Sequence, residues 1–269
     1  MEVVMKRCTF EYHTGQLSLT CHPNAVSFDP QVEDVRHVRT QISGYLPLHN
    51  KDATPSDAVI WQRPPGQRFK EASRLVIGLC HMENVRNKQH VIMNKQRADG
   101  VILCDPSITV AVTSRDCPYL ILWSEQVPRV AVLHCGRDQL HNVLEGRTDE
   151  SVIANAIPWF GVNVEPDQIY GAMVMGIAPE HFANAKYPKI TTALSRRWGL
   201  EVIPDQTRHT IDLKELILRQ LESYRIPRAN IMDDGIDTFS NKYCASYRDN
   251  RGGHNLILVS SRKDGSFNT

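Results

Sequence analysis

Residues 119–134 read Tyr119-Leu120-Ile121-Leu122-Trp123-Ser124-Glu125-Gln126-Val127-Pro128-Arg129-Val130-Ala131-Val132-Leu133-His134. Two apolar runs, Tyr119 to Trp123 and Val130 to His134, are bounded by polar or turn residues. Both are short and rich in β-branched or aromatic side chains, which favours buried strands over helices. The same texture extends outward through Leu75-Val76-Ile77, Val101-Ile102-Leu103 and Ile108 to Thr113.

Further along, Gln168 to Ile177 reads as another strand, stopped by Ala178-Pro179. Helical spacing is clearest from Ile211 to Tyr224, where Leu213, Leu216, Ile217, Leu221 and Tyr224 make one stripe and Pro227 ends the segment. Val32 to Leu46 carries a similar apolar spacing, and Pro64-Pro65-Gly66-Gln67 marks a loop. Gln139 to Leu144 and Ser151 to Trp159 are further helical candidates. Tyr243 to Tyr247 and Asn255 to Ser260 predict a closing pair of strands across Asp249-Asn250-Arg251-Gly252-Gly253. Strands and helices interleave without strict alternation, so the expected class is α/β (α+β), with mixed β-sheets flanked by helices.

At 269 residues and 41% hydrophobic content, one large domain spanning 1–269 is expected rather than two small ones. Lys and Arg number 31 against 30 Asp and Glu, so no general field attracts nucleic acid or an anionic membrane. The start, Met1-Glu2-Val3-Val4-Met5-Lys6-Arg7, lacks a long apolar segment after a basic one, so no export signal is expected. The seven cysteines are odd in number and follow no framework spacing, which predicts reduced thiols in a cytoplasmic protein.

His81, Cys117 and His134 each fall at the end of a predicted strand or in the loop beside it. Such junctions gather binding groups, and imidazole nitrogen and thiolate sulfur are donors that zinc accepts. Spacing alone does not select this role, because a single His or Cys at a strand end is more often part of the packing.

Four segments carry a resemblance. Ala98-Asp99-Gly100-Val101-Ile102-Leu103, Val110-Ala111-Val112-Thr113-Ser114-Arg115-Asp116-Cys117-Pro118, Val130 to Gly136, and Ser246-Tyr247-Arg248-Asp249 occur in that order. Together they resemble the YfiH/laccase-domain family of purine nucleoside phosphorylases over residues 75–260. Asp212-Leu213 is similar to its late helix start, and residues 1–70 belong to the same expected domain without a clear match. The resemblance implies a YfiH-like fold and one zinc ion per chain, held by His81, Cys117 and His134. It implies phosphorolysis of a purine nucleoside such as inosine or adenosine, with adenosine deamination as a possible side activity. Nucleoside and phosphate are then the partners.

Arg248 is the expected anion clamp, with Arg115 and Arg137 as further substrate-binding candidates, since guanidinium grips phosphate bidentately. A solvent-facing ion pair is the plainer role for Arg248. Asp116 adjoins Cys117 and is expected either to orient a ligand imidazole or to cap a backbone turn. Cys135 reads most simply as a small buried hydrophobe. The chain departs from the resembled pattern at Arg115, which stands for Ala. It departs again at Arg137-Asp138-Gln139, where Trp-Arg-Gly is the family pattern. Two other readings therefore stay open. One is a metal-free cysteine–histidine hydrolase or deamidase using Cys117 and His134. The other is a metal or nucleotide binder without turnover. A multi-site copper oxidase is disfavoured, because one His₂Cys set cannot supply several copper centres.

Overall fold

The computed structural model describes residues 2–6, 9–13, 17–26, 58–60, 76–79, 99–104, 109–141 and 151–261. The predicted helix at 32–46, the loop at 64–67 and His81 lie outside them. Twelve strands are described, in two six-stranded sheets. The first sheet runs β1 (Glu2–Lys6), β2 (Thr9–His13), β3 (Leu17–Val26), β12 (His254–Ser261), β7 (Thr109–Ser114), β4 (Ala58–Ile60). The second runs β11 (Ile231–Asp233), β10 (Ile169–Val174), β8 (Tyr119–Ser124), β9 (Val130–His134), β6 (Gly100–Leu103), β5 (Val76–Leu79). Both sheets are mixed. The β4–β7, β5–β6 and β10–β11 pairs are parallel and the rest antiparallel.

The unbroken apolar runs follow from burial on both faces. Side chains alternate along a strand. In β8, Tyr119, Ile121 and Trp123 join a core with Leu19 and Cys21 of β3, Val110 and Val112 of β7 and Ile257 and Val259 of β12. That core lies between the sheets. Leu120 and Leu122 point the other way, into a second core with Ile153, Phe160, Leu194, Leu213 and Ile217. These come from the helical layer: α2 (Val152–Ala156) and the 3₁₀ turn after it, α3 (Pro188–Trp198) and α4 (Leu213–Ser223). A single turn, α1 (Arg137–Leu140), follows β9. The order of layers is sheet, sheet, helices. No helix of the described residues is long and apolar enough to cross a membrane.

Helix α4 matches its sequence signal, and Asp212 caps it by accepting from the Glu215 N–H at 2.9 Å. Helix α3 and strands β1–β3, β4 and β11 were not anticipated. The predicted closing hairpin is corrected. Both edges of β12 are taken, by β3 and by β7. Residues 243–247 form turns, joined to the return segment by one isolated bridge, Ser246–Arg251. Asn255 replaces a ladder there. Its Oδ1 accepts from the Ala245 N–H at 2.9 Å, and its Nδ2 donates to the Ala245 carbonyl at 3.0 Å.

The expectation of reduced thiols throughout is also corrected. Cys104 is disulfide-bonded, whereas Cys21, Cys117, Cys135 and Cys244 are free. Pairing depends on distance in the fold and not on spacing in the chain, so an unpatterned set conceals a bridge.

An Asn255→Ala variant leaves the buried Ala245 amide and carbonyl without these partners. Each unsatisfied buried group costs about 1–3 kcal/mol. The expected result is a lower urea midpoint at unchanged slope.

Candidate metal centre

His134 is the last residue of β9 and pairs with Tyr119, the first of β8. Their rings lie 5.4 Å apart. Cys117 sits in the bend between β7 and β8, where the Ser114 hydroxyl donates to the Cys117 carbonyl at 2.5 Å. Two further backbone bonds draw the junctions together. The His134 N–H donates to the Asp99 carbonyl at 2.8 Å, and the Cys135 N–H to the Pro118 carbonyl at 2.9 Å. Residues far apart in the chain, at 99, 117 and 134, thus meet at one end of the second sheet.

Gly136 shows how close they come. A Cβ there would stand 2.5 Å from Gln139 Oε1, 3.1 Å from Cys117 Sγ and 3.5 Å from His134 Cε1. The thiol and the imidazole therefore crowd the same face of one backbone position. A side chain there would have to displace the Gln139 amide and press on the thiol by a few tenths of an ångström.

The imidazole is oriented. Its Nδ1 hydrogen-bonds Asp99 Oδ1 at 3.0 Å, and the other carboxylate oxygen, Oδ2, accepts from Gln139 Nε2 at 3.2 Å. With Nδ1–H committed to a carboxylate, Nε2 is the nitrogen left for another partner. Burial pulls the His134 pKa down. Hydrogen bonds to Asp99 and Cys117, and the charges there, outweigh burial and raise it to about 9.

Asp116 does different work. It is buried, its Oδ1 accepts from the Thr238 hydroxyl at 3.0 Å and its Oδ2 from the Arg248 N–H at 2.9 Å. Its carbonyl accepts from the Ile177 N–H at 2.9 Å. Of the two roles open to it in the sequence, the backbone cap is the one these bonds describe. The carboxylate on His134 is Asp99.

The three arginines lie on aromatic faces. Arg248 is exposed, 4.9 Å from the Phe182 ring centroid, with Nη1 donating to the Ala183 carbonyl at 3.2 Å. Arg137 is buried, 4.6 Å from the Tyr187 centroid, and donates from Nε to Asp138 at 2.8 Å and from Nη1 to Asn184 at 2.9 Å. The segment 182–187 thus gathers both. Arg115 is half-buried against Tyr247, at 5.2 Å. Cys135 is buried among apolar side chains, its thiol donates to the Leu133 carbonyl at 3.6 Å, and burial pushes its pKa well up.

Nitrogen, sulfur and a carboxylate behind the imidazole fit a zinc site. Among the described residues no group of three or more His, Cys, Asp or Glu is placed to hold a metal ion. His81, the third donor that the resemblance implies, lies outside them. Asp99, Gly136 and Gln139 were not singled out from the sequence. Asp99 was legible there as an acid opening a buried strand, immediately before Gly100.

Residues 66–261 match the profile of the family described as multi-copper polyphenol oxidoreductase laccase. A purine nucleoside phosphorylase of Campylobacter jejuni is 24% identical over 201 residues, covering 73% of this chain and 80% of that protein. Among solved structures, the hypothetical protein YfiH of Bacillus licheniformis superposes with a TM-score of 0.73 at 12% identity, over 91% of this chain and 92% of its own. YlmD of Geobacillus stearothermophilus gives 0.69 at 15% identity, over 97% and 99%. A Neisseria meningitidis protein gives 0.69 at 12%, over 94% and 99%. At these identities the structures establish the fold, in agreement with the expected YfiH-like class.

The raised pKa of His134 has a consequence for stability. The folded chain binds that proton more tightly than the unfolded chain does. In metal-free protein the contribution is full below about 6.5 and is lost as the pH rises through about 9. Urea midpoints of metal-free protein are expected to fall across that window. An Asp99→Asn variant is expected to flatten the dependence.

Proposed function

The chain belongs to the multi-copper polyphenol oxidoreductase laccase family, and we propose that it is a zinc-dependent enzyme resembling purine nucleoside phosphorylases. One observation carries the reading: Cys117 and His134 crowd Gly136 from one side, and Asp99 holds the imidazole from behind. The name of the Campylobacter jejuni relative points to the same reaction. Cys117 and His134, with His81 as third donor, would hold the ion and leave a fourth position open. Bound there, zinc supplies a Lewis-acid centre that holds and aims an oxygen of phosphate or of the sugar.

In phosphorolysis a phosphate oxygen bonds to C1′ of the ribose as the C1′–N bond to the purine breaks. The bonding pair leaves with the base, which takes up a proton. The sugar carries positive charge in between, so the anion must already be aimed at C1′. Arg248 is the exposed cation suited to that anion, and its backbone N–H donates to Asp116, the residue beside Cys117. Arg115, half-buried on Tyr247, and Arg137 complete the proposed substrate-binding set. Adenosine deamination at the same centre is part of the proposal.

The Asp99–His134–Cys117 sequence of contacts favours a second reading. Without metal it orders a carboxylate, an imidazole and a thiol as in cysteine hydrolases. Binding without turnover is the third, motivated by Arg137-Asp138-Gln139.

Metal analysis with an inosine and adenosine assay separates them. The expected result is about one zinc per chain and release of free base only when phosphate is present. Cys117→Ala is expected to reduce zinc affinity by more than the ~10–100-fold that loss of an outer partner costs. Undiminished zinc in that variant would remove Cys117 from the ligand set. A trapped acyl-enzyme would favour the hydrolase, and base release without phosphate would remove phosphorolysis. Nucleoside binding with no product at any phosphate level would favour the binder.

A further inference from the structure

We propose that Gln139 is a positioning residue for the zinc-binding imidazole, acting through Asp99 to fix the aim of His134. The proposal rests on the reading above for its metal, but its geometry stands without one. It concerns a position where the resembled family pattern has glycine, so the pattern itself supplies no side chain for this role.

The argument starts from the softness of a carboxylate. The last torsion of Asp is a broad, roughly two-fold well. A single hydrogen bond to one oxygen therefore leaves the group free to pivot, and the imidazole pivots with it. Asp99 is held at both oxygens, Oδ1 by His134 Nδ1 at 3.0 Å and Oδ2 by Gln139 Nε2 at 3.2 Å. Its carbonyl also accepts from the His134 N–H at 2.8 Å. The residue thus meets His134 at backbone and side chain, and Gln139 closes the remaining freedom.

Both residues are buried, at 4% exposure for Asp99 and 3% for Gln139, so water does not substitute readily for the amide. Gln139 is itself fixed. It lies in the single turn α1, its N–H donates to the Gly136 carbonyl at 3.1 Å, and its Oε1 fills the space that a Cβ on Gly136 would need. At this position of a helix a glutamine commonly reaches back to the capping residue. Here its amide nitrogen turns to the carboxylate of Asp99, just before β6. That choice places a donor on Asp99, and a donor on Asp99 matters chiefly for what Asp99 holds.

The test uses the full chain with Gln139→Met, which keeps volume and removes the donor, and Gln139→Asn, which keeps an amide too short to reach. Two readouts are taken. One is zinc affinity by competition with a chelating dye. The other is exchange of the His134 Nδ1 proton in the zinc-free protein, by ¹H–¹⁵N NMR with imidazole labelling. The wild-type proton is expected downfield and slow to exchange. Both variants are expected to exchange it faster, and to bind zinc about 10-fold more weakly, at the low end of the range for outer partners. Asp99→Asn is expected towards ~100-fold. A Gln139 role in packing alone predicts that Gln139→Met keeps the wild-type proton signal and an affinity within about twofold; that result overturns the proposal. If the wild-type chain takes up no zinc, the metal reading fails by itself, and the proton exchange still decides whether Gln139 positions His134.

Discussion

The antiparallel pairing of β8 with β9 is the constraint from which the site follows. Both strands are buried on each face, by the other sheet on one side and the helices on the other. An unpaired polar side chain along that stretch would lose its water without compensation. Polar chemistry is therefore confined to the strand ends, where the chain leaves the core. The pair closes at Tyr119 and His134, and the bend carrying Cys117 lies immediately before it. Strand β6 on the far side of β9 starts next to Asp99. One end of three adjacent strands thus delivers a thiol, an imidazole and a carboxylate to one place.

The fold was legible where burial is most complete. Tyr119 to Trp123 and Val130 to His134 lack polar alternation because neither face meets water, and their short length and β-branched or aromatic content favour strands. Helix α4 was legible because its stripe and stop signal agree. Helix α3 was not read, although Pro188 at its start, Ile190 and Leu194 on its buried side and Gly199 past its end are ordinary signals. The closing hairpin failed for a tertiary reason. Its second strand has better partners on both sides, from residues 17–26 and 109–114, and such long-range competition leaves no mark in the local pattern.

The site was legible in part, and for different reasons at different residues. Cys117 and His134 stood out as donor types at strand ends, and an ordered set of segments resembled a known family. Their approach to Gly136 depends on backbone bonds between distant residues, which no spacing records. Asp116 drew attention because it adjoins Cys117. Successive residues of a bend aim their side chains in different directions, and its carboxylate faces Thr238 and the Arg248 amide instead. The acid that meets His134 stands immediately before β6, at residue 99. Adjacency in a sheet decided this, and adjacency in the chain misled.

The departures at Arg137 and Gln139 look like decay when they are compared with a motif, and like construction when they are followed in space. Arg137 lies where the resembled pattern has an aromatic, and it covers the Tyr187 ring while bonding Asn184. Gln139 lies where that pattern has glycine, and its amide holds the carboxylate behind His134. A wall that had merely lost its residues would leave buried polar atoms unpaired, at a cost of about 1–3 kcal/mol each. Here Arg137 bonds Asp138 and Asn184, and Gln139 bonds Asp99, the carboxylate that holds His134. Of the two, Gln139 reaches the imidazole through Asp99, and Arg137 serves the segment 182–187. On the proposed reading, such a wall would change what a substrate meets and leave Cys117 and His134 side by side at Gly136.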